Sequence, residues 1–150
     1  MSAVSSRTEI EQVVRDYERC VNEGTLDEVL ALFEEDAVFY DPVGWMDEFA
    51  DVAEPQPGGL QPAFRGRENL IHFFTRVGEA FPGLHFTVKW IFLSENPPAA
   101  AFEWYGYSER DGQVLEVRAV DVFEISDRGK IAAVRGYIAN PDTFVYKDPT

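Results

Sequence analysis

Residues 85–140 read HFTVKWIFLSENPPAAAFEWYGYSERDGQVLEVRAVDVFEISDRGKIAAVRGYIAN, and this stretch decides the fold. Four runs within it, His85–Ser94, Ala99–Glu109, Gln113–Ile125 and Lys130–Asn140, are rich in β-branched and aromatic residues and alternate in polarity, the signature of strands. The breaks between them, NPP, RDG and SDRG, are turn chemistry, so consecutive strands are expected to be antiparallel neighbours. In the third run alternation puts Leu115, Val117, Ala119, Asp121, Phe123 and Ile125 on one face. Five of those six are apolar, and Asp121 is the exception. A carboxyl there needs a hydrogen-bonding partner, or holds its proton, or sits at the mouth of a pocket. An acid kept neutral in an apolar cavity can donate to a developing oxyanion. A structural ion pair or a register exception is the alternative.

Upstream of the strands the period changes to that of helices. Arg7–Val21 carries Ile10, Val13, Val14, Tyr17 and Val21 on one stripe, with Glu9, Glu11, Gln12, Arg15 and Glu18 outside it. A second helix is expected from Thr25 to about Phe33, opened by a capping box of Thr25 and Glu28 and turned inward on Leu26, Val29, Leu30 and Phe33. Ala37–Tyr40 reads as a short strand stopped by Asp41–Pro42, since proline removes a ladder donor. A third helix starts after Gly66, with Leu70, Ile71, Phe73, Phe74 and Val77 as its apolar side and Gly78 and Pro82 near its end. Helices first and sheet last imply an α+β domain spanning 1–150, three helices laid across a curved, mainly antiparallel sheet. A TIM barrel or dinucleotide fold requires alternating βα units, and the latter a glycine fingerprint that the sequence lacks.

Between these parts lies an expanded loop, residues 43–64, VGWMDEFADVAEPQPGGLQPAF. A connection of this length is a candidate lid or binding loop. Its Trp45, Met46, Phe49, Leu60 and Phe64 are positioned in sequence to cover an apolar ligand; a self-packed surface loop is the competing reading.

Composition removes several classes of function. A formal charge of −14 argues against nucleic acid, which requires a concentrated basic surface; Arg65–Arg67 and Arg15/Arg19 are the only modest basic groupings. A single cysteine, Cys20, gives no internal disulfide and reads as a small buried hydrophobe. His72 and His85 lack metal-ligand spacing, so no metal is expected. No apolar stretch has the length of a membrane span, and MSAVSSRTEIEQ lacks a basic region followed by an apolar one, so a cytoplasmic protein without membrane association is expected. Twelve Phe, six Tyr and three Trp suit a core enclosing an apolar cavity, or a dimer interface. Val114, Val120 and Val122, on the other face of the third run, point to a homodimer made through the outer sheet.

Three residues together carry a chemistry. Tyr17 faces inward, Asp121 faces inward, and Asp41 sits where a strand ends at a Pro-Val-Gly turn. They supply a base and two donors, the minimum for moving a proton beside a carbonyl. The stretch YERCVNEGTLDEVLALFEEDAVFYDPVG, Tyr17 to Gly44, with EVRAVDVFEISDRGKIAAVRGY around Asp121, resembles the ketosteroid isomerases, within the nuclear-transport-factor-2-like (NTF2-like) and SnoaL-like superfamily. The resemblance implies an NTF2-like, cystatin-like cone. It implies that Asp41 matches the catalytic base, Tyr17 the tyrosine donating to the substrate oxygen, and Asp121 the protonated aspartate donating beside it. It further implies a cofactor-independent shift of a proton from the carbon α to a ketone along a dienolate, on a small hydrophobic or polycyclic ketone.

The chain departs from that family in two places. Members commonly carry a tyrosine on the third helix that supports the oxyanion tyrosine; the matching position here is Phe74, and Tyr40, Tyr105 or Tyr107 are the candidate replacements. The 43–64 loop is also expanded. Trp45, Phe49, Phe64, Phe74 and Trp104 are expected to line the substrate site, with Trp90 on a core or dimer face. A polyketide or terpenoid cyclase on the same fold, or a non-catalytic ligand-binding protein, are the alternatives.

Overall fold

The computed structural model describes residues 6–139 and 144–150. Ser6 caps α1 (Arg7–Glu23) by accepting from the Glu9 N–H, and the Glu9 side chain returns the bond. Thr25 and Glu28 form the same box at α2 (Leu26–Leu30). β1 (Phe33–Tyr40) then leads through three short 3-10 turns to β2 (Ala63–Arg65), α3 (Gly66–Ala80) and four long strands. These are β3 (His85–Glu95), β4 (Pro98–Arg110), β5 (Gln113–Ile125) and β6 (Ile131–Ile138). Asn140, expected to end the last run, lies outside the described residues. The β4–β5 turn places both Asp111 and Gly112 at positive φ, 54° and 79°, the backbone that tightens an antiparallel hairpin.

The six strands are ordered β2-β1-β6-β5-β4-β3. All described pairings are antiparallel except β1 with β6, which is parallel. The helices cover one face of this sheet. Ile10, Val14, Tyr17 and Cys20 of α1 and Leu70 and Phe73 of α3 are buried against the inner rows of the strands. On β5 the expected face holds throughout: Leu115, Val117, Ala119, Asp121, Phe123 and Ile125 are all buried. No helix among the described residues is long and apolar enough to cross a membrane.

Two expectations require correction. Phe33 is the first residue of β1 rather than the inner side of α2, because the strand begins four residues earlier than Ala37 and is irregular between Phe33 and Val38. The 43–64 segment is not a roof over the sheet. Phe49 and Phe64 are fully buried with their rings 6.3 and 4.8 Å from Phe73 of α3. Arg76 of α3 pairs with Asp51 and donates to the Glu48 carbonyl, and Glu54 and Ala63 exchange backbone bonds of 2.7 and 2.8 Å. Trp45 points outward, 58% exposed. An aromatic side chain that finds a dry partner under α3 has no free surface left for a ligand.

The outer sheet face carries two exposed cross-strand rows. Trp90, Glu103, Val120 and Tyr137 form one; Phe92, Ala101, Val122 and Arg135 form the other. Trp90 and Phe92 are 64% and 68% exposed, and Val120 and Val122 are half-buried beside them.

The anchoring of the loop is testable by comparing two aromatic truncations. Phe49→Ala should cost about 3–5 kcal/mol of unfolding free energy in denaturant titration. Trp45→Ala should stay within about 0.5 kcal/mol of wild type. Equal effects would mean that the loop is not held by its buried ring.

Candidate active site

β1 runs parallel to β6 with Tyr40 opposite Arg135, and β5 runs antiparallel to β6 with Asp121 opposite Gly136. The residue after Tyr40 is Asp41, so three adjacent strands deliver Asp41, Gly136 and Asp121 to one place. Gly136 is the reason they fit. A Cβ built on it would stand 2.6 Å from Asp41 Oδ2, closer than real Cβ atoms come, and a tight 3.1 Å from Asp121 Oδ1. The two carboxyls therefore occupy the volume that any other residue would fill.

Asp41 is held by the turn it starts. It caps the 3-10 turn Pro42–Trp45, its Oδ1 accepting from the Val43 N–H at 2.9 Å, which leaves Oδ2 turned toward Gly136. The residue as a whole is half-buried, but the protein packed around the carboxyl pushes its pKa up to about 7, with the Val43 N–H opposing. Asp121 is 2% exposed. Burial, then the Asp41 charge, raise its carboxyl well above the ordinary aspartate range; the nearby Trp104 indole opposes them weakly, without the geometry of a hydrogen bond. Asp121 Oδ1 is buried with no hydrogen-bond partner among the described residues.

Tyr17 projects from the buried stripe of α1 into a cage of rings. Phe123 and Phe86 meet it edge-on at 5.1 and 5.6 Å, and Phe74 at 6.4 Å. Burial, then Asp121 and then Asp41, raise its phenol well above 10, so it stays a neutral donor at physiological pH.

These three residues line one apolar cavity, with about 690 Å³ of empty space when the solvent at its mouth is included. The inner row of β5 from Asp121 to Leu115 forms one wall, which at the ordinary strand rise gives a length of about 20 Å. Phe74 and Trp104 line it; Trp45, Phe49 and Phe64 do not. Of the 43–64 loop only Val43 reaches it. Tyr40, Tyr105 and Tyr107 are not on its wall, so none of them stands in for the tyrosine missing at Phe74. Among the described lining residues none is Lys or Arg.

Sequence reasoning missed two contributors. Gly136 had a readable signal, a glycine inside a strand pattern, which marks close approach of another group. Phe144 had none: it follows the last strand and reaches the cavity by packing 5.3 Å from Phe81. It is held by its neighbour Tyr146, whose hydroxyl donates to the Ala80 carbonyl at 2.9 Å and lies 2.8 Å from Ser108 Oγ.

Residues 14–134 match the SnoaL-like domain family, and the chain belongs to it. No curated protein matches the chain significantly. Among solved structures, a Δ5-3-ketosteroid isomerase from Mycobacterium sp. is 26% identical, with 98% of this chain and 100% of that chain covered and a TM-score of 0.68. RV0760c from Mycobacterium tuberculosis, solved in complex with estradiol-17beta-hemisuccinate, is 27% identical over 95% of this chain and 98% of that one, with a TM-score of 0.71. SalBIII, an epoxide hydrolase/cyclase-like enzyme of pyran ring formation in salinomycin, shares the fold at 20% identity, 92% and 95% coverage and a TM-score of 0.72. The architecture is the NTF2-like, cystatin-like one.

The raised carboxyl of Asp121 has a consequence for stability. Between the unfolded value near 3.9 and its higher folded value, the native state binds more protons than the unfolded chain, so stability falls as pH rises through that window. Asp121→Asn removes this dependence. Its unfolding free energy should match wild type within about 1 kcal/mol at pH 4 and exceed it by roughly 1–3 kcal/mol at pH 8. A variant that is less stable than wild type at pH 8 would show Asp121 to be ionised and paired.

Proposed function

We propose that this SnoaL-like protein is a cofactor-independent isomerase of the steroid Δ-isomerase type, acting on a hydrophobic β,γ-unsaturated ketone. The observation that carries the reading is the convergence of a neutral phenol, a neutral carboxyl and an ionisable carboxyl on one apolar cavity without a basic side chain among its described lining residues. The mycobacterial isomerase among its structural relatives supports the reaction class, and the steroid-derived ligand of RV0760c supports the substrate class.

In this mechanism the ketone oxygen lies against the Tyr17 hydroxyl and the protonated Asp121. Asp41, as carboxylate, takes a proton from the carbon between the ketone and the alkene; the C–H electron pair becomes the enolate double bond and the oxygen takes the charge. The dienolate then receives that proton at its far carbon, which regenerates Asp41 and leaves the conjugated enone. A carboxylate is a weak base against a carbon acid, so rate depends on how well the two donors stabilise the oxyanion. Burial of Asp41 helps from the other side, since a base with a pKa of about 7 is stronger than an ordinary aspartate.

A second reading rests on the crowding of Asp41 and Asp121 at Gly136. One neutral and one ionised carboxyl side by side form an acid–base pair able to deprotonate a hydroxyl while protonating an epoxide or alkene, the chemistry of a polyketide or terpenoid cyclase.

Incubation with a β,γ-unsaturated 3-oxo steroid should yield the conjugated enone, followed by ultraviolet absorbance. The value of kcat/KM should rise with pH through a midpoint near 7 as Asp41 ionises. Asp41→Asn should reduce turnover by at least about 10³-fold, and Tyr17→Phe by about 10²–10³-fold. Tight steroid binding with no double-bond shift would reject the isomerase and bring the cyclase reading forward.

The exposed outer-face rows support a homodimer through the sheet. Sedimentation at micromolar concentration should give twice the 17.0 kDa chain mass, and a Trp90→Glu, Phe92→Glu double variant should sediment as the monomer. A monomeric wild type would reject this interface.

A further inference from the structure

The cavity contains a polar atom that the mechanism above does not use. Trp104 Nε1 is buried and has no hydrogen-bond partner among the described residues. An indole N–H left unpaired away from water is costly, so its presence in an otherwise apolar wall requires a reason. The residue sits on the inner row of β4 opposite Ala119, one inner-face step from Asp121 on the neighbouring strand, a diagonal that a long side chain spans.

The ring has a fixed orientation. Phe86 packs on it at 4.5 Å with 31° between the planes. Its Cζ3 lies 2.7 Å from where a Cβ on Gly106 would stand, so the six-membered ring fills the space that this glycine leaves empty. Gly106 is paired with Val117, on the side of the β5 wall that runs toward Leu115. The opposite edge of the indole, which carries Nε1, is thereby turned to the acid end. Asp121 Oδ1, the other orphan atom of the cavity, approaches Gly136 on β6, the opposite neighbour of β5 from β4. The Trp104 indole lies close enough to Asp121 to act on its carboxyl, but no bond of full hydrogen-bond geometry joins the two orphan atoms among the described residues.

We propose that the Trp104 indole N–H is a catalytic hydrogen-bond donor to the ligand oxygen, a third donor beside Tyr17 and Asp121. The assignment rests on the proposed binding of a carbonyl oxygen at the acid end. It gives that oxygen an additional donor in a site where Phe74, a ring without a hydroxyl, stands behind Tyr17. It also explains why Gly106 is a glycine: any side chain there would push the indole off this axis.

Ligand binding tests the donor separately from turnover. The probes are 2-naphthol, which presents one oxygen, and naphthalene, which presents none. In ¹H–¹⁵N spectra of the full chain, the Trp104 indole resonance, identified by elimination with Trp45→Phe and Trp90→Phe, should move downfield with 2-naphthol and not with naphthalene. Trp104→Phe keeps an aromatic ring and removes the N–H. It should weaken 2-naphthol by about 10-fold while naphthalene changes by less than about 2-fold. In the isomerase assay it should lower kcat by about 10-fold with KM little changed. An unmoved indole resonance, an equal loss for both probes, or no binding of 2-naphthol would overturn the proposal. Because the resonance is read in wild type, a poorly folding variant leaves the test intact. A moving resonance without steroid turnover would reject the isomerase and keep the donor; turnover with a silent resonance would do the reverse.

Discussion

Two carboxyls share the space beside Gly136 with no cation on the described cavity wall, and the remaining chemistry follows from that constraint. Like charges at such separation in an apolar enclosure do not both ionise, so the pair divides its roles by environment. Asp41 has the Val43 N–H and partial contact with solvent, and it is the one that gives up its proton near neutrality. Asp121 is sealed in and faces the Asp41 charge, and both raise its pKa. In the proposed reaction one residue type thus supplies both a base and a donor.

The topology exists to make that juxtaposition. A purely antiparallel meander of β3 to β6 would place Asp121 beside Gly136 but bring no second acid. Inserting β1 parallel to β6 adds one, because Asp41 follows the Tyr40–Arg135 pairing directly. A one-residue slip in β5 would turn Asp121 to the outer face and Val120 or Val122 inward. The buried row from Leu115 to Ile125 opposes such a slip, with Phe123, the next inner residue after the acid, packed at 4.8 Å on Phe102, the residue paired with Asp121. Hydrophobic packing therefore fixes the location of a polar group that it otherwise disfavours.

Much of this was readable in one dimension. Strict alternation on β5, the two capping boxes and the glycine in the Asp111–Gly112 turn are local signals, and local physics decides them. Asp121 stood out because it violated its own pattern. Phe33 was misread as helical because its spacing from Val29 and Leu30 fits a helix, whereas pairing with Ile131 far along the chain draws it into β1. The roles of Phe49 and Phe64 were illegible for the same reason. Apolar content marks a residue for burial but does not say whether protein or ligand buries it, and here Phe73 does.

The cavity's two ends differ, and that difference orients whatever enters. At one end stand the acids, Tyr17 and the Nε1 edge of Trp104; at the other, Leu115, Phe81 and Phe144 present only carbon. The apolar end is closed by the C-terminal stretch rather than by the long 43–64 loop. Phe144 is seated there by Tyr146, which bonds to Ala80 and Ser108 and lies under the Arg110 guanidinium at 4.2 Å, while Lys147 exchanges backbone bonds with Val114. A ligand with one oxygen and a long hydrocarbon body gains by placing the oxygen among the donors and its carbon against the rings. The reverse placement would bury the oxygen without a partner at a cost of about 1–3 kcal/mol and leave the donors empty as well. In the proposed reaction orientation is therefore enforced before any chemistry begins, and the same polarity that selects the ligand's direction sets its reactive carbon against Asp41.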